Sequence, residues 1–255
     1  MKTLLYDIET SPNLAWVWGK FEQNVIEFEE EWYLLCFAYK WLGEKKTHVV
    51  ALPDFSEYKK APTNDIEVVR ALYNLFNEAD VVVAHNGDRF DQKKSHARFI
   101  YHGMPPPEPY QSVDTCKLAR KYFAFNSNKL DDLGSHLKLG RKIKTGGFDL
   151  WMGCMKGDKK AWKKMKGYNK QDVDLLEAVY LKLRPWDAGH PAVNVLDRRP
   201  DSCPKCGGTH INKGMKYKAT NTNLYQYYRC MDCGGMLKAR VPEYKQSEER
   251  MRYTR

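Results

Sequence analysis

Two acidic residues near the start of this 255-residue chain have a spacing that suits metal-assisted chemistry. Asp7 and Glu9 lie two apart in TLLYDIE (3–9), an apolar run that predicts a buried strand, and strand alternation sends both side chains to one face. Two carboxylates in such a strand are costly unless a cation compensates them, and oxygen ligands suit Mg²⁺ or Mn²⁺. The alternative is a strand end at which both acids are solvated.

Three more residues further along the chain have similar potential. Asp91 follows the apolar run VVVA (81–84) through the sequence HNGDRFD, at the predicted start of a helix. A carboxylate at that position also stabilises the helix dipole, which is the simpler interpretation. Tyr168 and Asp172 lie four apart on a predicted helix, and this spacing stacks them on one face. Their alternative interpretation is an ordinary polar border of a helix.

Four of the seven cysteines form two CxxC pairs, Cys203 with Cys206 and Cys230 with Cys233, and each pair is followed by Gly-Gly. Such a knuckle holds a metal in a tight turn that needs glycine conformations, and four thiolates suit tetrahedral Zn²⁺. We therefore predict a structural zinc ribbon over residues 202–240. Disulfides or redox pairs are the alternative, but the chain shows no secretion signal that would favour them.

Hydrophobic periodicity predicts the elements that position these residues. Apolar runs predict strands at 3–9, 32–42, 47–52 and 81–84, and helical periodicity predicts helices at 65–78, 91–102, 114–123, 129–138, 158–166 and 168–183. Three strands, a helix, a strand and then further helices are typical of a mixed sheet flanked by helices. Residues 185–201 contain three prolines and predict a linker, and residues 241–255 predict a charged tail.

Charge is distributed unevenly along the chain. The whole sequence carries 42 Lys and Arg against 32 Asp and Glu, for a net charge of +10. Residues 1–91 contain 9 basic and 16 acidic side chains, whereas residues 116–171 contain 15 and 4. The basic segment favours a polyanionic partner, although a lysine-rich helical surface would have the same composition. The hydrophobic content of 42% excludes disorder of the whole chain, and no apolar run approaches the ~18 residues of a transmembrane helix.

The acidic motifs occur in one order along residues 1–184: Asp-x-Glu, then Asn-Gly-x-x-Phe-Asp, then Tyr-x-x-x-Asp. This order resembles the DEDD exonuclease superfamily, and NKLDDLGSHLKLG (128–140) is similar to the segment between its second and third motifs. Tyr168 stands four residues before the last aspartate, and Gly167 occupies the position at which the other subtype has histidine, so the resemblance is to the DEDDy subtype. The nearest branch is the predicted exonucleases of phages and bacteria that are related to family B polymerase proofreading domains.

The resemblance implies a DnaQ-like, RNase H-like α/β fold, with a mixed five-stranded sheet flanked by helices. It also implies a metal-dependent 3′–5′ exonuclease in which two Mg²⁺ or Mn²⁺ ions are held by Asp7, Glu9, Asp91 and Asp172. Tyr168 would orient the attacking water. Asn86 and Phe90 have alternatives to a role in substrate contact: Asn86 as a turn residue and Phe90 as a core residue. The residues that the resemblance places against the substrate are Thr10, His85, Asn86, Phe90, Lys129 and Leu130.

Nucleic acid is the expected partner, with single-stranded DNA favoured over RNA. Lysines and tyrosines interleaved in residues 202–240 suit single-stranded nucleic acid, and a purely structural or protein-binding ribbon is the alternative. No polymerase segment is recognised, so a role in replication or repair would act in trans, with a polymerase or another replication protein. The lack of a secretion signal favours a cytoplasmic location and no membrane association. The acidic stretch 27–31 suits either a protein contact or a barrier to DNA.

Two other functions compete with this interpretation. The first is a catalytically idle module that binds nucleic acid or protein in a replication or repair assembly. The presence of all four carboxylates and Tyr168 argues against it. The second is an RNase H-like endonuclease or transposase, which also uses clustered acids. The Tyr-x-x-x-Asp pattern on a late helix does not belong to that class.

Overall fold

The computed structural model describes residues 1–21 and 24–245. Compactness divides the chain into two units: one comprises residues 2–180, and the other comprises Met1 and the chain from Leu181 onward. Residues 246–255, which belong to the predicted charged tail, lie outside the described residues. Within the described ranges, no helix is both long and apolar enough to cross a membrane.

The first unit is built around a mixed sheet with helices that follow it in sequence. Its elements are β1 (Thr3–Thr10), β2 (Leu14–Trp16), β3 (Glu27–Glu30), β4 (Leu34–Trp41), β5 (His48–Ala51), α1 (Ile66–Glu78), β6 (Val81–Ala84), α2 (Asp91–Tyr101), β7 (Gln111–Asp114), α3 (Thr115–Tyr122), α4 (Leu130–His136), α5 (Asp149–Met155) and α6 (Lys159–Leu183). The strand order is β5-β4-β1-β6-β7, with β1 antiparallel to β4 and parallel to β6. The predicted mixed five-stranded sheet flanked by helices is confirmed.

Strand β1 lies at the centre of this sheet because its apolar residues are buried on both faces. Leu4 and Leu5 are both fully buried, although successive residues of a strand point to opposite sides. The register pairs Asp7 with Ala38 and Glu9 with Cys36. These partners on β4 have small side chains, which leaves space beside the two carboxylates.

The prediction of two helices at 158–166 and 168–183 is wrong, since α6 runs unbroken from Lys159 to Leu183. Gly167 suggests a break in the sequence, but a glycine inside a helix costs only about 1 kcal/mol relative to alanine. Met165 before it and Val173 after it are both fully buried. Burial on both sides of the glycine offsets that cost and keeps the helix continuous.

Four elements of the first unit were not predicted from the sequence: strands β2 and β3, which form a hairpin, strand β7 and helix α5. Strand β7 has only four residues, and its pairing with β6 places Val113 beside Val83. A single buried apolar side chain gives no alternation to detect, so the strand depends on hydrogen bonds from β6. Its last residue, Asp114, caps α3 by accepting hydrogen bonds from the backbone N–H groups of Cys116 and Lys117.

The second unit contains a small sheet. A short helix, α7 (Val193–Leu196), lies within the predicted linker. It is followed by β8 (Ile211–Ala219), β9 (Asn223–Cys230), β10 (Met236–Lys238) and β11 (Tyr244–Lys245). Strand β9 pairs with all three of the others. Because β11 pairs with β9, the sheet extends beyond residue 240, where the ribbon was predicted to end.

Candidate active site and metal centres

Three carboxylates that are distant in sequence meet where β1 faces α6. One oxygen each from Asp7, Glu9 and Asp172 lie within 4.8 Å of one another. Asp7 and Glu9 come from alternate positions of β1, and Asp172 comes from the middle of α6. A group of carboxylate oxygens at this separation is the donor set that Mg²⁺ and Mn²⁺ prefer.

Asp91 adjoins this group without belonging to it. It is the first residue of α2, it is 3% exposed, and its Oδ1 accepts a hydrogen bond of 3.2 Å from the backbone N–H of Ile8. Ile8 separates Asp7 from Glu9, so this bond fixes the start of α2 against the acidic end of β1. Burial raises the pKa of Asp91 to about 7, although the hydrogen bond from Ile8 opposes the rise.

Burial is also the main reason that the pKa values of the other three carboxyl groups are raised. Repulsion from Asp91 and Glu9 raises the pKa of Asp7 further, and the pKa of Glu9 rises to about 8. The pKa of Asp172 is raised as well, mainly by burial. Its Oδ1 is buried and has no hydrogen-bond partner in the described part of the chain. The cluster therefore has the charge and a spare acceptor that fit a divalent cation.

A lysine that was not predicted as a site residue lies against the cluster. Nζ of Lys142 is 2.7 Å from Oδ2 of Asp172 and 3.3 Å from the hydroxyl oxygen of Tyr168. Its backbone N–H donates a 2.7 Å hydrogen bond to Asp131, in the first turn of α4, which holds the lysine in place. Burial lowers the pKa of Lys142, but Asp172 and Asp7 raise it to a net value above its ordinary range. Lys142 therefore keeps its positive charge.

Helix α6 supplies two more side chains beside Asp172. Tyr168 lies one helical turn before Asp172, and burial together with repulsion from that carboxylate raises the pKa of its hydroxyl above the ordinary value. Tyr168 therefore stays protonated at neutral pH. Asn169 is fully buried, and its amide nitrogen donates hydrogen bonds to the side chain of Asp7 at 2.7 Å and to its backbone carbonyl at 3.2 Å.

Helix α5 adds Trp151, which is partly buried and packs against the core of the first unit. Its ring also makes an edge contact with Tyr168, at a centroid distance of 6.3 Å. The sequence offered no signal for Trp151 because α5 is only seven residues long. Asn169 had a detectable signal, since it precedes Asp172 by three positions and i,i+3 residues of a helix are neighbours. Lys142 had none, because it is one of 15 basic residues in segment 116–171.

Two of the residues expected to contact substrate have structural partners. The Nε2–H of His85 donates to the carbonyl oxygen of Asn128 at 2.8 Å, and its Nδ1 lies 2.9 Å from Oγ1 of Thr115. Asn86 has a positive φ of 63°, and its backbone N–H donates to Asp114. A Cβ at the following Gly87 would lie 2.5 Å from that of Ala84. This loop therefore needs glycine in order to deliver Asp91.

The other four expected contact residues differ in accessibility. Thr10 ends β1 at a bulge, immediately after Glu9. Phe90 precedes Asp91, and its ring is 40% exposed. Lys129 is exposed at the start of α4, whereas Leu130 is 4% exposed within the interior. Of the last pair, only Lys129 offers a side chain that a ligand can reach.

The cysteine pairs of the second unit form a separate cluster. The Sγ atoms of Cys203, Cys206, Cys230 and Cys233 all lie within 4.8 Å of one another. Between the two CxxC pairs, the sulfur atoms of Cys206 and Cys230 are 3.6 Å apart and those of Cys203 and Cys233 are 3.9 Å apart. These distances are too long for disulfides. They are close to the ~3.8 Å edge of a tetrahedron with Zn–S bonds of about 2.3 Å. Backbone N–H groups of Lys205, Gly208 and Gly235 point at three of the sulfurs, each at 3.4 Å, which stabilises thiolates.

Comparisons with known proteins show which folds the first unit is similar to. Residues 5–184 match the family model RNase_H_2, described as RNase_H superfamily. The structure is similar to that of the family B DNA polymerase from the hyperthermophilic archaeon Pyrobaculum calidifontis, with a TM-score of 0.54 and 16% sequence identity. The similar region covers 72% of this chain and 25% of the polymerase, so the chain spans about a quarter of that protein. Among curated proteins, none matches the sequence.

We predict that Lys142→Met lowers the melting temperature of the metal-free protein. The change leaves Asp172 without its buried partner, and the loss of one member of such a pair costs up to about 3–5 kcal/mol. The side chain of Lys142 is 28% exposed, so we expect a smaller cost and a decrease of about 3–8 °C. Added Mn²⁺ should restore more stability to the variant than to the wild type, because no ammonium group competes for Asp172.

Lys144→Met provides the matched control, since Lys144 is exposed on the same segment. Its melting temperature and its response to Mn²⁺ should equal those of the wild type in differential scanning fluorimetry. An equal Mn²⁺ response in Lys142→Met would mean that its ammonium does not share the site with cations.

Proposed function

The chain belongs to the RNase H superfamily, and on that premise we propose that it is a metal-dependent 3′–5′ exonuclease of the DEDDy type. The observation that carries the proposal is the position of Tyr168 and Asp172, which lie one helical turn apart on α6 beside Asp7 and Glu9. A tyrosine that touches the carboxylate cluster from the same helix as its last acid is the DEDDy arrangement. The product would be a 5′-mononucleotide released from a 3′ end.

Asp7, Glu9 and Asp172, with Asp91 beside them, would hold two Mg²⁺ or Mn²⁺ ions. When bound, such ions activate a water molecule and stabilise the oxygen that leaves the phosphodiester. The raised pKa values of the carboxyl groups reflect the excess of negative charge at the site, which a bound cation would compensate. The buried and unpartnered Oδ1 of Asp172, among the residues that the structure describes, is consistent with a ligand position.

The residues around the carboxylates have separate roles in this proposal. Tyr168 would donate a hydrogen bond that orients the attacking water, because its raised pKa keeps the hydroxyl protonated in the metal-free protein. Asn169 holds the carboxylate of Asp7 in a fixed orientation through its 2.7 Å hydrogen bond. Lys142, whose ammonium group lies 2.7 Å from Asp172, would add a positive charge that favours a phosphate at this site.

Single-stranded DNA is the proposed substrate, with RNA as the alternative. The polymerase that shares the fold belongs to the class whose proofreading domains the motifs resemble, which supports action in trans on the product of a polymerase. A catalytically idle binding module would bind single strands without shortening them. An endonuclease would cut within the strand and would release oligonucleotides instead of mononucleotides.

We predict that the purified protein shortens a 5′-labelled oligonucleotide stepwise in Mg²⁺ or Mn²⁺, and that EDTA abolishes the reaction. Asp172→Asn should lower the rate by several orders of magnitude, because a metal ligand and a buried charge are removed together. Asp174→Asn is the matched control on the same helix. Asp174 pairs with Lys170 on the surface, so its replacement should leave the rate within about twofold of the wild type.

Labels at the two ends separate the competing functions. A 3′ label should appear at once as a mononucleotide, and a 5′ label should form a ladder. Internal fragments from the start of the reaction would favour the endonuclease. Binding without any shortening, in protein that retains its melting temperature, would favour the idle module.

Tyr168→Phe tests the role of the hydroxyl group, because it keeps the ring that packs against Trp151. We predict that kcat falls by about 10²-fold, whereas the affinity for the strand changes little, since the hydroxyl acts on the water and not on the substrate. Single-turnover kinetics together with a binding assay measure the two quantities. An unchanged kcat would leave Tyr168 with a packing role only.

We further propose that Cys203, Cys206, Cys230 and Cys233 hold one structural Zn²⁺ and that the ribbon assists nucleic-acid binding. A cleft of about 920 Å³ in the second unit is lined by Arg198, Tyr228, Lys238 and Arg240. Lys238 also lies 4.3 Å from the ring centroid of Tyr225. Cations interleaved with aromatic rings suit the phosphates and bases of a single strand.

For the metal we predict one Zn²⁺ per chain that survives dialysis, measured by elemental analysis. Cys230→Ser should lose the zinc and expose residues 202–240 to protease, because structural zinc supplies folding free energy that a small module lacks. Cys116→Ser is the control, since Cys116 lies on α3 of the first unit and should leave the zinc in place. Zinc at full stoichiometry in Cys230→Ser would exclude this thiol as a ligand.

Replacement of both Lys238 and Arg240 by Met tests nucleic-acid binding by the ribbon. We predict that the affinity for a single strand becomes less dependent on salt, with the slope reduced by about 0.7 for each phosphate that is no longer neutralised. Fluorescence anisotropy at several salt concentrations measures this slope. A slope equal to that of the wild type would favour a ribbon that docks on protein.

A further inference from the structure

A lysine and two aromatic side chains form a cluster one helical turn beyond Asp91. Nζ of Lys94 lies 3.6 Å from the ring centroid of Trp32 and 5.7 Å from that of Phe90. Lys94 follows Phe90 by four residues and Asp91 by three, so the three lie on one side of the start of α2. We refer to Lys94, Trp32 and Phe90 as the Lys94 cluster.

The Lys94 cluster lies beside the carboxylate site because both segments that carry it adjoin that site: helix α2, which carries Lys94, and the segment before β4, which carries Trp32. The backbone N–H of Trp32 donates a 2.8 Å hydrogen bond to the side chain of Asn13, and the backbone N–H of Ser11 donates to the carbonyl of Tyr33. These bonds join the segment that leaves β1 to the one that enters β4. Glu9 lies two residues before Ser11, so Trp32 is at the end of β1 that carries the carboxylates.

A buried ion pair holds the indole of Trp32 in place. The guanidinium of Arg98 lies 5.7 Å from the Trp32 ring centroid, and its Nε donates a 2.8 Å hydrogen bond to Asp65. Asp65 is fully buried, and it also accepts a 2.7 Å hydrogen bond from the backbone N–H of Leu34, two residues after Trp32. A ring that is fixed before a ligand arrives loses little conformational entropy on binding.

The ammonium group of Lys94 is available to an anion. Among the ion pairs of the described residues, none involves Lys94, and its ammonium group lies near the two aromatic rings. Lys94 is partly buried, and this burial lowers the pKa of its ammonium group. The adjacent ring of Phe90 is 40% exposed. A partly desolvated cation next to an exposed ring matches the phosphate and the base of a nucleotide.

We propose that the Lys94 cluster binds the phosphate and the base of a nucleotide upstream of the cleaved bond, an inference that rests on the proposed exonuclease function. Lys94 contacts the phosphate, and the rings of Trp32 and Phe90 contact the base. Of the three residues in the Lys94 cluster, only Phe90 is among those that the sequence motifs indicate for substrate contact, so Lys94 and Trp32 are additional residues. The ligand class is a single-stranded nucleic acid of at least two nucleotides.

Two substrates of different length test this subsite. One is a short oligothymidylate, and the other is the p-nitrophenyl ester of thymidine 5′-monophosphate, which has a p-nitrophenyl group in place of the upstream nucleoside and no upstream phosphate. We expect Lys94→Met to lower kcat/KM for the oligonucleotide about tenfold more than for the ester. Trp32→Leu should have the same direction of effect, since its ring no longer stacks on the base. Lys93→Met is the matched control, because Lys93 is the exposed neighbour on α2.

Binding without cleavage provides a second measurement. In an Asp172→Asn background, Lys94→Met should reduce the salt dependence of oligothymidylate affinity by about 0.7, the value for one phosphate on a single strand. Lys94→Arg should retain the wild-type slope. An unchanged slope, an equal decrease on both substrates, or a lower melting temperature with unchanged affinity would overturn the subsite. Failure of the wild type to cleave either substrate would instead overturn the proposed exonuclease function.

Discussion

Repulsion between carboxylates that share a buried space is the interaction on which the first unit depends. Asp7, Glu9 and Asp172 bring their oxygens within 4.8 Å of one another, and burial makes each negative charge more costly. The surrounding structure compensates part of this cost. Ile8 donates its backbone N–H to Asp91, Asn169 donates its amide to Asp7, and Lys142 contributes an ammonium group. The remaining excess of negative charge is what a divalent cation would neutralise.

The compensation requires rigid supports, because a site of this kind loses its geometry if one element shifts. Helix α6 provides the longest support, since it runs for 25 residues without a break. Its Trp162 and Met165 are buried in the main core, and its next turns carry Tyr168, Asn169 and Asp172 into the site. The core packing of one half of the helix thereby fixes the position of the other half. The loop at Asn86 and Gly87 does the same for Asp91, through a positive φ and a close approach to Ala84.

The second unit relies on a different source of stability. Its buried apolar cluster consists of Cys203, Cys230 and Leu237, with a few partly buried neighbours, which is too small to stabilise a module of this size by itself. Four thiols at tetrahedral spacing, with backbone N–H groups directed at three of them, fit a metal that would replace the missing core. The first unit has an apolar core of its own, so its site does not need the thiolates to fold.

Local periodicity accounts for the features that were predictable from the chain alone. Alternation along a strand places Asp7 beside Glu9, helical spacing places Tyr168 near Asp172, and a CxxC pair needs only a tight turn. Periodicity also indicated a mixed sheet flanked by helices, whereas its fifth strand was expected only from the family resemblance, because β7 itself has too few apolar residues to be recognised. Each of these features depends on residues that are close together in sequence, so the pattern is visible before the chain folds.

Contacts between distant segments were decided by the tertiary structure. Lys142 reaches Asp172 across 30 residues, and nothing in the basic segment distinguishes it from Lys138 or Lys144. Lys94 meets Trp32 only because hydrogen bonds join the end of β1 to the start of β4. The role of a lysine depends on the charges and rings that surround it. Those neighbours are set by the packing of the sheet and α6, and residue type and local spacing do not encode them.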